Sequence, residues 1–77
     1  MTKYTGLKIY LSESIDEQVV LSFSEIEHVI GTALPNSAYV HSAWWANGGH
    51  SQANTWLGAG YKVSLVDLNK KEVVFSK

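Results

Sequence analysis

Short apolar stripes alternate with polar breaks along this chain, and the spacing of the stripes assigns most of it to elements. Between Tyr4 and Glu13, Tyr4, Leu7 and Leu11 fall at helical intervals, while Leu7, Ile9 and Leu11 also alternate as in a strand. We read this stretch as a helix. Polarity rises around Ile15, and Gln18-Val-Val-Leu-Ser-Phe23, made of branched and aromatic residues, predicts a short strand. Ser24, with Glu27 three residues on, has the spacing of a capping box. A helix therefore starts at Ser24, with Ile26, Val29 and Ile30 as its buried stripe and Gly31 as a left-handed stop.

The middle, from Thr32 to Gly49, is irregular. Pro35 cannot continue a helix, Asn36 or Ser37 can cap a short turn through Val40, and Asn47-Gly48-Gly49 predicts a turn. Ser51 is placed to cap a third helix running to about Ala59, with Ala53, Trp56 and Leu57 on one face and Gly60 as its stop. Two strand-like runs close the chain, Tyr61 to Leu68 and Glu72 to Lys77, joined by the polar tip Asn69-Lys70-Lys71. They read as an antiparallel hairpin with Tyr61, Val63, Leu65, Val73 and Phe75 on its inner face.

The expected order is helix, strand, helix, helix, strand, strand. That is an α+β fold with a small antiparallel sheet, in winged-helix-like order. The linker from about Thr32 to His50 is much longer than the three or four residues of a standard helix-turn-helix, so that motif's geometry need not transfer. A chain of 77 residues makes one domain, residues 1–77, because it is too short to divide its buried surface between two cores.

Composition narrows the picture. With no cysteine the chain has neither a disulfide framework nor a thiolate metal site, so its three Trp, four Tyr and two Phe must supply much of the burial. Its apolar runs fall well short of the roughly 20 residues that span a bilayer, and Met1-Thr2-Lys3-Tyr4 leads into no apolar leader. We expect a cytoplasmic protein that does not enter membranes. Net charge is -1, unevenly spread. Residues 1–30 carry Lys3 and Lys8 against Glu13, Asp16, Glu17, Glu25 and Glu27, whereas residues 31–77 carry Lys62, Lys70, Lys71 and Lys77 against Asp67 and Glu72. The second half can face a polyanion, but without arginine it lacks the bidentate fork that most often reads guanine.

The runs Leu34-Pro-x-Ser-Ala38, Trp44-Trp-Ala-Asn47, Trp56-x-x-Ala-Gly-Tyr61 with Val63, and Val74-Phe75-x-Lys77 carry a resemblance over most of the chain. Together they resemble a family of small bacterial and phage domains of unknown function with the pattern LPxSA, WWxN, W, aG[WY]xV and VxF[RK]. The resemblance implies no established activity. Such domains stand alone or beside nuclease-like domains, which implies a nucleic-acid or defence-related setting. Where the family often ends in Arg, this chain has Lys77.

Candidate chemistry centres on the tryptophans. Adjacent residues in an extended segment point to opposite faces, so we expect Trp44 and Trp45 to divide, one in the core and one outward as a platform for a base, a sugar or a partner side chain. The competing reading packs both rings and Trp56 into one core cluster. Ser37, Asn47, Ser51, Gln52 and Asn54 are neutral donors and acceptors near them, and Asn or Gln on a recognition helix can bridge N6 and N7 of adenine. The same residues also serve as ordinary caps and turn formers. His28, His41 and His50 lack the spacing of a ligand set, so no metal or other cofactor is expected, although His41 and His50 flank the Trp pair and can tune the charge beside it. No P-loop, dinucleotide fingerprint or nucleophile elbow is present. Ser37 with His41 and Glu25 with Glu27 have local structural explanations, and we expect no enzyme. Lys62, Lys70 and Lys71 are the best phosphate contacts, the last two at a hairpin tip like the wing of a winged helix.

The function these features suggest is a small nucleic-acid-binding accessory domain of phage, plasmid or host-defence type, DNA ahead of RNA. Its site would comprise Ser37, His41, Trp44, Trp45, Asn47, His50, Ser51, Gln52, Asn54, Lys62, Lys70 and Lys71. The alternative is a protein-interaction module or inhibitor that uses an exposed Trp and the acidic N-terminal face, with a homodimer as a further option.

Overall fold

Helix α1 (Thr5–Ser12) settles the ambiguity of the first stripe in the computed structural model, which describes residues 4–77. Leu7 and Leu11 are buried one helical turn apart, whereas Ile9, which a strand would have turned inward beside them, is 51% exposed. Met1, Thr2 and Lys3, including the charge of Lys3, lie outside the described residues.

Strand β1 (Gln18–Ser22) leads directly into α2 (Phe23–Ile30). The capping box exists, but two residues earlier than its spacing in the sequence suggested. Ser22 Oγ accepts from the Glu25 amide at 3.0 Å, and Glu25 Oε1 accepts from the Ser22 amide at 2.8 Å. Ser24 is exposed and caps nothing, because Phe23 already belongs to the helix and its ring must enter the core. Ile26 is fully buried, Val29 and Ile30 are half-buried, and Gly31 ends the helix at φ +77°. Helices α1 and α2 meet so closely at Gly6 that a β-carbon there would collide with the Val29 carbonyl.

The long linker contains a short helix, α3 (Asn36–Val40), and a 3-10 turn over Ser42–Trp45. Pro35 stands before α3 without a side-chain cap, so neither Asn36 nor Ser37 caps it. Helix α4 (Ala53–Leu57) likewise has no side-chain cap, and Ser51 does not serve as one. It is shorter than the sequence suggested. Beyond Leu57 the chain closes in a Schellman arrangement: the Tyr61 amide donates to the Trp56 carbonyl, the Gly60 amide donates to Leu57, and Gly60 sits at φ +87°. Leu57 is 42% exposed rather than core-facing.

Strands β2 (Lys62–Asp67) and β3 (Glu72–Ser76) form the hairpin, and β3 lies between β1 and β2 in a three-stranded antiparallel sheet. The expected α+β class and element order are therefore present. One position departs from simple alternation. Val63 pairs with Phe75, yet Leu65 pairs with Val74, so a bulge at Ser64 shifts the register. It turns Leu65 outward, 61% exposed, and leaves Val66 and Leu68 to pack against the core beside Val63. One apolar cluster joins α1, α2, the linker, α4 and the inner face of the sheet.

Candidate functional site

A chain of aromatic rings runs through the centre of the molecule. Trp45 stacks on Phe23 at 5.1 Å and on Trp56 at 5.9 Å, and Trp56 continues to Phe75 at 5.8 Å. Trp45 and Trp56 are each 1% exposed. Because a buried indole needs a partner for its N–H, each has one: Trp45 Nε1 donates to the Ala38 carbonyl at 2.9 Å, and Trp56 Nε1 donates to Asn47 Oδ1 at 3.1 Å. The pattern residues Ala38, Trp45, Asn47 and Trp56 thus hold one another.

Asn47 does more than make a turn. Its Oδ1 also accepts from the Val63 amide at 2.8 Å, and its Nδ2 donates to the Val63 carbonyl at 2.8 Å. The side chain acts as a two-pronged strand mimic on the outer edge of β2, tying the loop to the sheet and to α4. These three hydrogen bonds give the side chain a structural task, although the residue itself is exposed.

Trp44 and Trp45 do divide, but unevenly. Trp44 is half-buried, edge-on to Trp45 at 4.7 Å and to Tyr4 at 5.8 Å. Its indole N–H has no hydrogen-bond partner among the described residues and is not buried, so it reaches solvent. None of the three tryptophans is exposed as a free platform. Gln52, expected near base edges, instead donates from Nε2 to the Trp44 carbonyl at 2.9 Å and fixes the 3-10 turn against α4.

A cleft of about 400 Å³ lies between the start of α1 and α4, lined by Tyr4, Thr5, Lys8, Ser51, Gln52, Asn54 and Thr55. It gathers three of the expected site residues, Ser51, Gln52 and Asn54. The Asn54 side chain has no hydrogen-bond partner among the described residues. Lys8 joins them from the opposite wall, its Cε and Nζ within 3.1 and 3.2 Å of where a Gly58 β-carbon would stand. Lys8, Thr5 and Tyr4 were not legible as site residues, because nothing local marks α1 as a neighbour of α4.

The other expected residues scatter. Ser37 lies half-buried within α3, its carbonyl taken by the His41 amide at 2.9 Å, while His41 and His50 are exposed on the linker. Lys62 opens β2, whereas Lys70 and Lys71 occupy the tip beyond its other end, between Asp67 and Glu72. The tip is anchored inward: Asp67 Oδ1 accepts from the Asn69 and Lys70 amides, and the Lys71 carbonyl accepts from Phe23 at the start of α2. The structure does not bring these lysines to the α4 cleft. Lys77 places its ammonium 5.4 Å over the Tyr61 ring and 3.4 Å from the Ser14 carbonyl.

The family model described as "Domain of unknown function (DUF7662)" matches residues 4–77. The chain belongs to that family. Neither a curated protein nor a solved structure matches it.

Within this DUF7662 domain, Glu27 has a role that capping-box spacing concealed. Its Oε2 accepts from the Leu34 amide at 2.8 Å and from the Tyr39 hydroxyl at 2.7 Å, clamping α2 to the linker. The Tyr39 hydrogen bond, then that of the Leu34 amide, holds the Glu27 carboxyl below its ordinary value. The same bond to Glu27 raises the Tyr39 phenol. Among the described residues no group of three or more His, Cys, Asp or Glu is placed to hold a metal ion, and no helix is long and apolar enough to cross a membrane.

Proposed function

We propose that the domain binds nucleic acid, DNA ahead of RNA, as an accessory module, through the face built from α4, the linker and the start of α1. The observation that carries this reading is the charge map of the chain. Residues 31–61 contain no Asp, Glu, Lys or Arg, and all seven carboxylates lie outside them. A phosphate backbone approaching this face meets neutral donors from Ser51 and Asn54 and the ammonium of Lys8 at the cleft. Phosphate contacts position such a ligand and amide side chains read base edges, so Lys8, in the cleft, and Lys62, outside it at the start of β2, are assigned the first task and Asn54 the second.

This reading departs from a winged helix in one respect. Lys70 and Lys71 sit beside two carboxylates and against α2, so the hairpin tip plays no part in the contact.

Fluorescence polarisation with a labelled duplex, and with single-stranded DNA and RNA of the same sequence, tests it. Binding is expected at micromolar protein in low salt, with log K falling against log salt at a slope near -2, as about two phosphate contacts require. Lys8→Ala should reduce that slope by about one, and Lys70→Ala with Lys71→Ala should leave it unchanged. No salt-dependent binding, or loss through the hairpin tip alone, overturns the proposal.

A further inference from the structure

The sheet has two edges, and the chain treats them differently. On β2 the edge is blunted three times over, by the bulge at Ser64, by Lys62, and by Asn47 bonding both backbone groups of Val63. On β1, Gln18-Val-Val-Leu-Ser22, there is no charge, no proline and no bulge.

Its free backbone groups follow from the register. The Lys77 amide donates to Glu17 and the Phe23 amide donates to Lys71, so the odd-numbered residues of β1 exchange hydrogen bonds with β3. Gln18 and Val20 therefore turn their N–H and C=O outward. Ser22 confirms the direction, since its amide also points away and is taken by Glu25.

Two clefts flank Tyr10 along this edge. One, about 280 Å³, is lined by Tyr10, Glu13, Ser14, Asp16 and Val19. The other, about 370 Å³, is lined by Tyr10, Leu21, Ser24, Glu25, His28 and Val29. Val19 and Leu21 share the inner face two residues apart, a spacing of roughly 6.7 Å. A strand laid beside β1 would point its residues i and i+2 at the two clefts. Tyr10 with Val19 gives the first cleft an apolar wall beside Glu13 and Asp16, and Tyr10 with Leu21 and Val29 gives the second one beside Glu25 and His28, which suits the long stem and cationic head of Lys or Arg.

We propose that this edge is a docking site for an extended basic segment of a partner protein, which adds a fourth strand beside β1 and places alternate basic side chains on either side of Tyr10. Charge decides against a second copy of the chain. Joining two β1 edges would bring Glu13, Asp16, Glu17 and Glu25 of both copies together, with only Lys77, 3.4 Å from the Ser14 carbonyl, to offset them on each side, whereas a basic strand meets a net acidic edge. The site is separate from the α4 face and does not depend on it.

The test uses a labelled synthetic peptide alternating Arg with Val, the same peptide N-methylated at alternate residues so that it cannot pair, and a version with Glu in place of Arg. The Arg peptide should bind saturably, perturb amide resonances within residues 10–25, and slow hydrogen exchange at Val20. N-methylation should weaken binding about tenfold or more, as should Glu13→Lys combined with Asp16→Lys, and the Glu peptide should not bind. Equal binding of the methylated peptide, perturbations at the α4 cleft instead, or sedimentation of the free domain as a β1-paired dimer would each overturn the proposal.

Discussion

Asn47 Oδ1 and Nδ2 clasp the backbone N–H and C=O of Val63, each at 2.8 Å, so that one side chain stands in for the missing neighbour of an edge strand. Because the same oxygen also receives the buried Trp56 indole, three groups lose their partner when the amide is removed. We predict that Asn47→Ala lowers stability by about 1–3 kcal/mol, which in a domain of this size is a fall in Tm of several degrees. An unchanged melting temperature would show that the clasp contributes nothing.

The displaced capping box gives a sharp comparison. Ser22→Ala removes the acceptor for the Glu25 amide and should cost about 1 kcal/mol, whereas Ser24→Ala should stay within about 0.5 kcal/mol. Chemical denaturation of the two variants distinguishes the registers. The reverse order of effects would place the cap at Ser24.

Gly6 tests the crossing of α1 and α2. A methyl group there meets the Val29 carbonyl, which belongs to a helix and cannot swing aside, so Gly6→Ala should destabilise by about 1–3 kcal/mol despite its better helix propensity. A more stable Gly6→Ala protein would mean that the helices are further apart.

The bulge in β2 inverts two neighbours. Leu65→Ser should change stability by no more than about 0.5 kcal/mol, while Val66→Ser, on the core side, should cost about 1–2 kcal/mol. Comparable losses at both positions would mean that the register shift is absent.

The Glu27–Tyr39 pair predicts the pH response. Glu27 is lowered in the folded state, so its contribution is present above the unfolded carboxyl value, about 4.3, and is lost as pH falls through the folded value. Tyr39 is raised, so its contribution is present below the unfolded phenol value, about 10, and is lost as pH rises through the folded value. Tyr39→Phe should reduce both the acid and the alkaline loss of Tm. Identical pH profiles for variant and parent would remove the pair from the account.

Much of the architecture was written locally. The stripe of Leu7 and Leu11, the stops at Gly31 and Gly60, and the hairpin tip at Asn69-Lys70-Lys71 each follow from residues within a few positions of one another, because helical periodicity and left-handed glycines act over one turn. Trp45 is buried deeper than Trp44, but the outward platform expected of one ring is not there, because Trp44 packs against the same core cluster. What the sequence left open was long-range. Asn47 meets Val63 across 16 residues, Tyr39 meets Glu27 across 12, and Lys8 meets Gly58 only because α1 crosses α4. The identity of a polar side chain states what it can bond to, and the packing of the tryptophan core selects the partner. That selection gave Asn47 and Gln52 structural bonds, left the Asn54 side chain without a hydrogen-bond partner among the described residues, and closed the β2 edge of the sheet while no described residue pairs with the outer edge of β1.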